Sequence, residues 1–159
     1  MGVSDLPIGV FDSGVGGLTV VRALRAHLPA EAITYLGDTA RVPYGTRSPE
    51  TVERYSQRVA GHLVRRGVKA LVVACNTATT YALEHLRSEG DRRGIPVIGV
   101  IEPGVQAATA ICRDHVGVIG TEGTIRGGAY ERLLKKYAPG ISITSAACPL
   151  FVALAEEGW

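Results

Sequence analysis

The sequence predicts an α/β protein built on a mostly parallel, doubly wound sheet, and three observations carry that prediction. Short apolar runs alternate with amphipathic stretches along the whole chain, the pattern of successive β-α units. The residues that follow those runs are small, polar or nucleophilic, as expected where strands hand over to helices along one edge of a sheet. With 159 residues, 46% of them hydrophobic and 20% charged, the chain is long enough to bury a core as one domain or two small ones.

Taken in order, the apolar run Ile8-Gly9-Val10-Phe11 predicts a strand at 8–11, followed by a helix over 17–27. A second strand is expected at 33–36, ahead of the Pro43-Tyr44-Gly45 turn. The helix over 49–66 has the clearest start. Ser48 can cap it, Pro49 occupies the first turn, and Glu50 sits near the positive end of the dipole. Val52, Tyr55, Val59, Leu63 and Val64 then fall on one face at helical spacing, which is core. Further strands are predicted at 70–74, 97–100, 116–119 and 141–144, with helices at 77–87, 104–113 and 124–137. The charged, glycine-rich stretch 89–94 reads as a surface connection. Val100-Ile101-Glu102-Pro103-Gly104 breaks the rhythm and suggests a boundary, giving a first α/β domain over 1–99 and the opening of a second over 100–159. Ile8-Gly9-Val10-Phe11-Asp12-Ser13-Gly14 and Val116-Gly117-Val118-Ile119-Gly120-Thr121 support two related halves: each is a strand with an early glycine, then small polar residues, then a helix. A last helix begins near Leu150 and runs to the apolar Trp159, so the chain reads as a fragment whose second domain is incomplete.

Composition excludes several classes. The net charge of +2 is dispersed, with only Arg65-Arg66, Arg92-Arg93 and Lys135-Lys136 paired, which is no footprint for nucleic acid or anionic lipid. No apolar run reaches the length of a membrane span, and the N-terminus lacks a basic start followed by an apolar stretch, so the expected compartment is the cytoplasm. Cys75, Cys112 and Cys148 are odd in number and widely spaced, suggesting neither a disulfide framework nor a zinc site. None of the three lysines ends an apolar run, which counts against a Schiff-base cofactor.

The chemistry gathers at the strand ends. Asp12-Ser13-Gly14, Gly37-Asp38-Thr39, Cys75-Asn76-Thr77, Glu102-Pro103, Gly120-Thr121 and Cys148-Pro149 follow successive strands. In a parallel sheet they converge on one cleft, where α/β proteins bind their ligands. Cys75 stands out because its apolar run passes directly into a helix, whose free N–H groups and dipole favour thiolate. Against this, a free cysteine at a strand end is as often a small buried hydrophobe, and Asp, Ser, Thr and Asn are common caps. Asp12 is harder to explain as a cap, since a carboxylate directly after Val10-Phe11 must be solvated or paired.

Asp12-Ser13-Gly14-Val15-Gly16-Gly17 followed by Asp38 invites a dinucleotide reading, but Thr19 replaces the third glycine and Asp12 would sit beside the pyrophosphate. A helix start of this kind can hold a smaller anion, such as a carboxylate. Pro43-Tyr44-Gly45 can turn backbone N–H groups toward a ligand with the tyrosine ring as a wall, or be a plain loop. His27, His62, His85 and His115 are placed in or at the ends of helices, away from Cys75, which weakens a Cys–His hydrolase. Cys112 reads as core. Cys148 reads as structural, because Pro149 leaves fewer backbone donors for a thiolate.

Several segments together resemble the glutamate racemases of the cofactor-independent aspartate/glutamate racemase superfamily. They are Gly9-Val10-Phe11-Asp12-Ser13-Gly14-Val15-Gly16-Gly17-Leu18-Thr19, Tyr35-Leu36-Gly37-Asp38-Thr39-Ala40-Arg41-Val42-Pro43-Tyr44-Gly45 and Val73-Ala74-Cys75-Asn76-Thr77-Ala78. Pro96-Val97-Ile98-Gly99-Val100-Ile101-Glu102-Pro103-Gly104, Gly120-Thr121 and Cys148-Pro149-Leu150-Phe151-Val152 extend the match along essentially the whole chain. The resemblance implies interconversion of L- and D-glutamate, supplying D-glutamate for peptidoglycan, by two thiols on opposite faces of Cα. It implies no cofactor and no metal, a small-molecule substrate, and a homodimer as the candidate assembly. Cys75 would be the first thiol, with Asp12, Asp38 and Glu156 assisting. Asp12, Ser13, Pro43, Tyr44, Gly45, Asn76, Thr77 and Thr121 would hold the substrate. The family's second cysteine lies in a downstream Cys-Thr-His motif that this sequence does not contain. The expectation is therefore a chain that does not racemise glutamate alone and exposes apolar surface. The alternatives are an aspartate or hydantoin racemase of the same superfamily, a non-catalytic carboxylate-binding α/β module, and a cysteine hydrolase.

Overall fold

A computed structural model describes residues 5–157, the side chains of the last two excepted. Its centre is a four-stranded parallel sheet in the order β2-β1-β3-β4, formed by β1 (Ile8–Asp12), β2 (Ile33–Gly37), β3 (Ala70–Val73) and β4 (Val97–Gly99). Ile8 is level with Ile33 on one side and Ala70 on the other, and Val73 with Gly99. Side chains alternate between the sheet's two faces. Phe11, Leu71 and Val73 enter one cluster with Val52, Val59 and Leu63 of α2 (Pro49–Arg65) and Ala78, Ala82 and Leu86 of α3 (Asn76–Asp91). Ile8, Val10, Val72 and Ala74 form another with Val20, Val21 and Leu24 of α1 (Leu18–His27). Helices therefore cover both faces, and the sheet is doubly wound. The cover is unequal, since α1 contributes no buried residue while α2 contributes five.

A second lobe holds a two-stranded parallel sheet of β5 (His115–Gly120) and β6 (Ser142–Ala147), with α4 (Ile101–Ile111), α5 (Glu122–Gly127), α6 (Ala129–Tyr137) and α7 (Pro149–Glu157). Ile101, Val105, Val116, Val118 and Leu134 make its small core. Ile111, Ile119, Leu150 and Phe151 are exposed by 81, 65, 75 and 58%, so much of its apolar surface faces water. Among the described residues, no helix is long and apolar enough to cross a membrane.

Several boundaries differ from the sequence reading. The helix expected over 104–113 begins earlier, at Ile101, and Pro103 falls in its first turn, where a missing N–H removes no helical bond. The single helix expected over 124–137 is two, because Gly128 at φ 65° ends α5 and turns the chain into α6. α3 continues to Asp91, and Gly90 packs so closely that a Cβ there would lie 2.4 Å from the Ile95 carbonyl oxygen. His115 opens a strand rather than closing a helix.

At the start of α2, the Ser48 side chain accepts the Thr51 N–H at 3.3 Å. Ser48→Ala removes that acceptor from an exposed helix end and is expected to cost about 1 kcal/mol, read as a lowered midpoint in thermal unfolding.

Candidate active site

The strand order places the sheet's switch point between β1 and β3, because the chain leaves β1 toward β2 on one side and returns to β3 on the other. Asp12 ends β1, and Cys75 lies two residues past β3. Between them opens a cavity of about 450 Å³. Nine of the eleven residues expected at the site line it: Asp12 and Ser13 after β1; Pro43, Tyr44 and Gly45 from the turn beyond β2; Cys75, Asn76 and Thr77 at the start of α3; and Thr121 after β5. Asp38 and the four histidines are not among its lining residues. Glu156 belongs to α7, and its side chain lies outside the described residues. A second groove, of about 490 Å³, lies between α2 and α3 near the strand starts and contains no thiol.

Cys75 is 6% exposed and caps α3, its sulfur accepting the Ala78 N–H at 3.4 Å. The Ser13 hydroxyl lies 3.5 Å away. The helix start was expected to favour thiolate, but burial and the nearby Asp12 charge oppose it and push the thiol up, outweighing the bonds from Ser13 and Ala78. Both causes favour the neutral thiol over the thiolate.

Asp12 explains part of that resistance. Its Oδ2 accepts N–H groups of Gly14 at 3.0 Å and Gly17 at 3.2 Å, so the loop curls around the carboxylate. The helix start that looked suited to an external anion is occupied by this side chain. A Cβ on Gly17 would lie 2.6 Å from Asp12 Cβ, which requires glycine there. Tyr35 buttresses the loop, its hydroxyl donating to the Gly14 carbonyl at 2.7 Å. Burial, Asp12 and Cys75 push that phenol up to about 12. Asp12→Asn removes the negative charge beside Cys75, so the thiol should ionise at lower pH. Iodoacetamide should then alkylate Cys75 several-fold faster at pH 7, and the midpoint of its pH–rate curve should fall. An unchanged curve would show that burial alone holds the thiol protonated.

Asp38 is bonded to the turn beyond β2. Its Oδ2 accepts the Tyr44 hydroxyl at 2.6 Å and Arg41 Nη1 at 3.0 Å. Tyr44 is 1% exposed and packs on Tyr55, with ring centroids 5.7 Å apart, while the Arg41 guanidinium lies 5.0 Å from the Tyr55 ring centroid. Burial and the Asp38 bond raise the Tyr44 phenol far above its ordinary range. Asp38 thus holds the turn that walls the cavity.

Thr77, Thr121 and Thr124 form a triangle of hydroxyls with sides of 3.0 Å. Each has one proton, so three bonds use every donor. A ligand carboxylate taking one of those protons must open the triangle. Further wall comes from Tyr130 of α6 and Phe151 and Val152 of α7, which were not expected there, and from Cys148. Cys148, expected to be structural, lies at the cavity wall, 3.8 Å from the Ala146 carbonyl oxygen. The strand-end position of Cys148 was a visible signal. Tyr130 left none, because it sits inside a helical pattern.

Fold and cavity together define the class: an open α/β sheet protein with a small-ligand cavity at the carboxyl ends of its strands. More particularly, the chain belongs to the Asp/Glu/Hydantoin racemase family, whose model matches residues 17–157. It is 59% identical over 153 residues to a glutamate racemase of Geobacter metallireducens, covering 96% of this chain and 56% of that protein. The solved glutamate racemase of Francisella tularensis, in complex with D-glutamate, matches 98% of this chain with TM-score 0.90 and 43% identity, over 57% of its own length. That of Aquifex pyrophilus matches 96% with TM-score 0.85 and 54% identity, over 59% of its own length. The chain therefore spans little more than half the length of these relatives.

Proposed function

We propose that the chain carries the Cys75 half of a glutamate racemase site, the whole protein interconverting L- and D-glutamate for peptidoglycan. The observation that carries this reading is the buried Cys75 sulfur in a small cavity shared with Asp12, Ser13, Asn76 and Thr77. The relatives named above, one of them solved with D-glutamate, supply the substrate. A glutamate ammonium set against Asp12 would offset the charge that keeps Cys75 protonated, so the ligand itself would favour the thiolate. The thiolate would then take the Cα proton, leaving charge on the α-carboxylate, which the Asn76 amide and the threonine hydroxyls would stabilise. Asp38 would act as a positioning residue through Tyr44. Inversion needs a second acid on the opposite face of Cα, which the family places in its Cys-Thr-His motif. The division into a first domain over 1–99 and the opening of a second over 100–159 is part of this proposal. It is supported by the separate cores of the two sheets.

The test is proton NMR of L- or D-glutamate in D2O with the 159-residue chain. The expected result is loss of the Cα–H signal without inversion. The absence of both exchange and any glutamate-induced shift of the protein would overturn the proposal. Binding without exchange would favour the second reading, a carboxylate-binding module. That reading has one observation in its favour, the raised thiol of Cys75.

A further inference from the structure

The geometry points to Tyr130 as a positioning residue that sets the polarity of the Asn76 amide and makes that point of the cavity select a carboxylate over a carboxamide. The inference rests on the glutamate reading above. Tyr130 stands in the first turn of α6, its ring packed against the second lobe's core. Its hydroxyl leaves that core and donates to Asn76 Oδ1 at 2.8 Å. Asn76 is the first residue of α3, next to Cys75, and both Tyr130 and Asn76 line the cavity. Among the described residues, Tyr130 is the one side-chain partner this amide has.

An asparagine amide offers one acceptor and two donors on atoms of nearly the same shape, so whichever end is held decides what the other end presents. A phenol donates more readily than it accepts, because its oxygen lone pairs are delocalised into the ring. Burial also keeps the Tyr130 phenol protonated. With Oδ1 held, the Nδ2 protons are left for a ligand and can bond a carboxylate oxygen. A carboxamide presenting its own NH2 there would meet donors with donors. The bond also joins the lobes, tying the residue beside the thiol to a helix of the second sheet.

The test uses the 159-residue chain, isotopically labelled, with D-glutamate, D-glutamine and D-isoglutamine as probes, so that each carboxylate is amidated in turn. In the native chain, one monoamide is expected to bind more weakly than D-glutamate. In Tyr130→Phe, which keeps the ring, that discrimination should shrink by about fivefold, the worth of one neutral hydrogen bond. The Asn76 side-chain amide resonances should move even without ligand. In an Asn76→Ala background, Tyr130→Phe should change nothing further, since the hydroxyl acts through the amide. Equal weakening of all three ligands, or no change in any, would overturn the inference and leave Tyr130 as packing. A native chain that binds none of the three would remove the glutamate reading, and the inference with it. That failure is distinguishable from failure of the pairing, in which the ligand-free Asn76 resonances stay in place in Tyr130→Phe.

Discussion

Cys75→Ser is expected to stop solvent-deuterium exchange at the glutamate Cα, lowering its rate by a factor on the order of 10³. Serine keeps the size and the cap, because its oxygen can accept the Ala78 N–H that the sulfur now accepts at 3.4 Å. What it loses is acidity. The sulfur already resists ionisation because it is buried and faces Asp12, and an alcohol in the same place would ionise far less. The fold should survive, since Cys75 contributes one small side chain to a cluster held by Phe11, Leu63, Leu71 and Val73. The measurement is the decay of the Cα–H resonance in D2O at matched protein concentration, with thermal unfolding as the check on folding. Exchange persisting at the native rate would transfer the base to another group, with Asp12 the first to test.

Much of this site was legible in the sequence because a parallel sheet turns sequence order into geometry. Once strands end at Phe11 and near Val73 and run the same way, Asp12 and Cys75 must share an edge, and their helices must start there. In the structure Phe11 pairs with Val73, which sets the residues after both strands at one edge. Direction was harder to read than position. Nothing in Gly37-Asp38-Thr39 shows that Asp38 turns to Tyr44 and Arg41 rather than to the thiol, since the choice depends on a turn whose packing on Tyr55 is tertiary. The ionisation of Cys75 was similarly hidden: a helix start can be read locally, whereas burial and the Asp12 charge depend on the finished fold.

The second lobe was legible as elements but not as a wall of the site. Tyr130 occupies a helical position like any core residue, and only the turn at Gly128 aims α6 so that its hydroxyl reaches Asn76. That turn looked like the interior of one helix, because a pair of glycines in an amphipathic pattern does not announce whether it continues or breaks. The split matters for the site. α5 brings Thr124 against Thr77, while α6 brings Tyr130 against Asn76. One straight helix could not aim both residues in this way.

Gly45→Ala should be the most disruptive single-methyl change at the cavity. A Cβ at Gly45 would lie 2.3 Å from Thr121 Cβ and 2.6 Å from its Cγ2 and Oγ1, too close for any rotamer to relieve. The opposing side gives little room, because a Cβ on Gly123 would lie only 2.9 Å from the Gly45 carbonyl oxygen. Here the turn and the start of α5 touch almost backbone to backbone. Thr121 also belongs to the hydroxyl triangle with Thr77 and Thr124, so displacing it breaks bonds as well as packing. Overpacking of this kind costs about 1–3 kcal/mol, which for a chain of this length lowers the unfolding midpoint by roughly 3–10 °C. Glutamate binding should weaken with it, since Tyr44, Gly45, Thr77 and Thr121 all line the cavity. Gly117→Ala is the control, because a Cβ there meets nothing within 4 Å and its midpoint should stay close to that of the native chain. Equal, small effects at the two glycines would mean that the lobes part easily at this contact. The threonine triangle would then be a consequence of their approach, not a support for it.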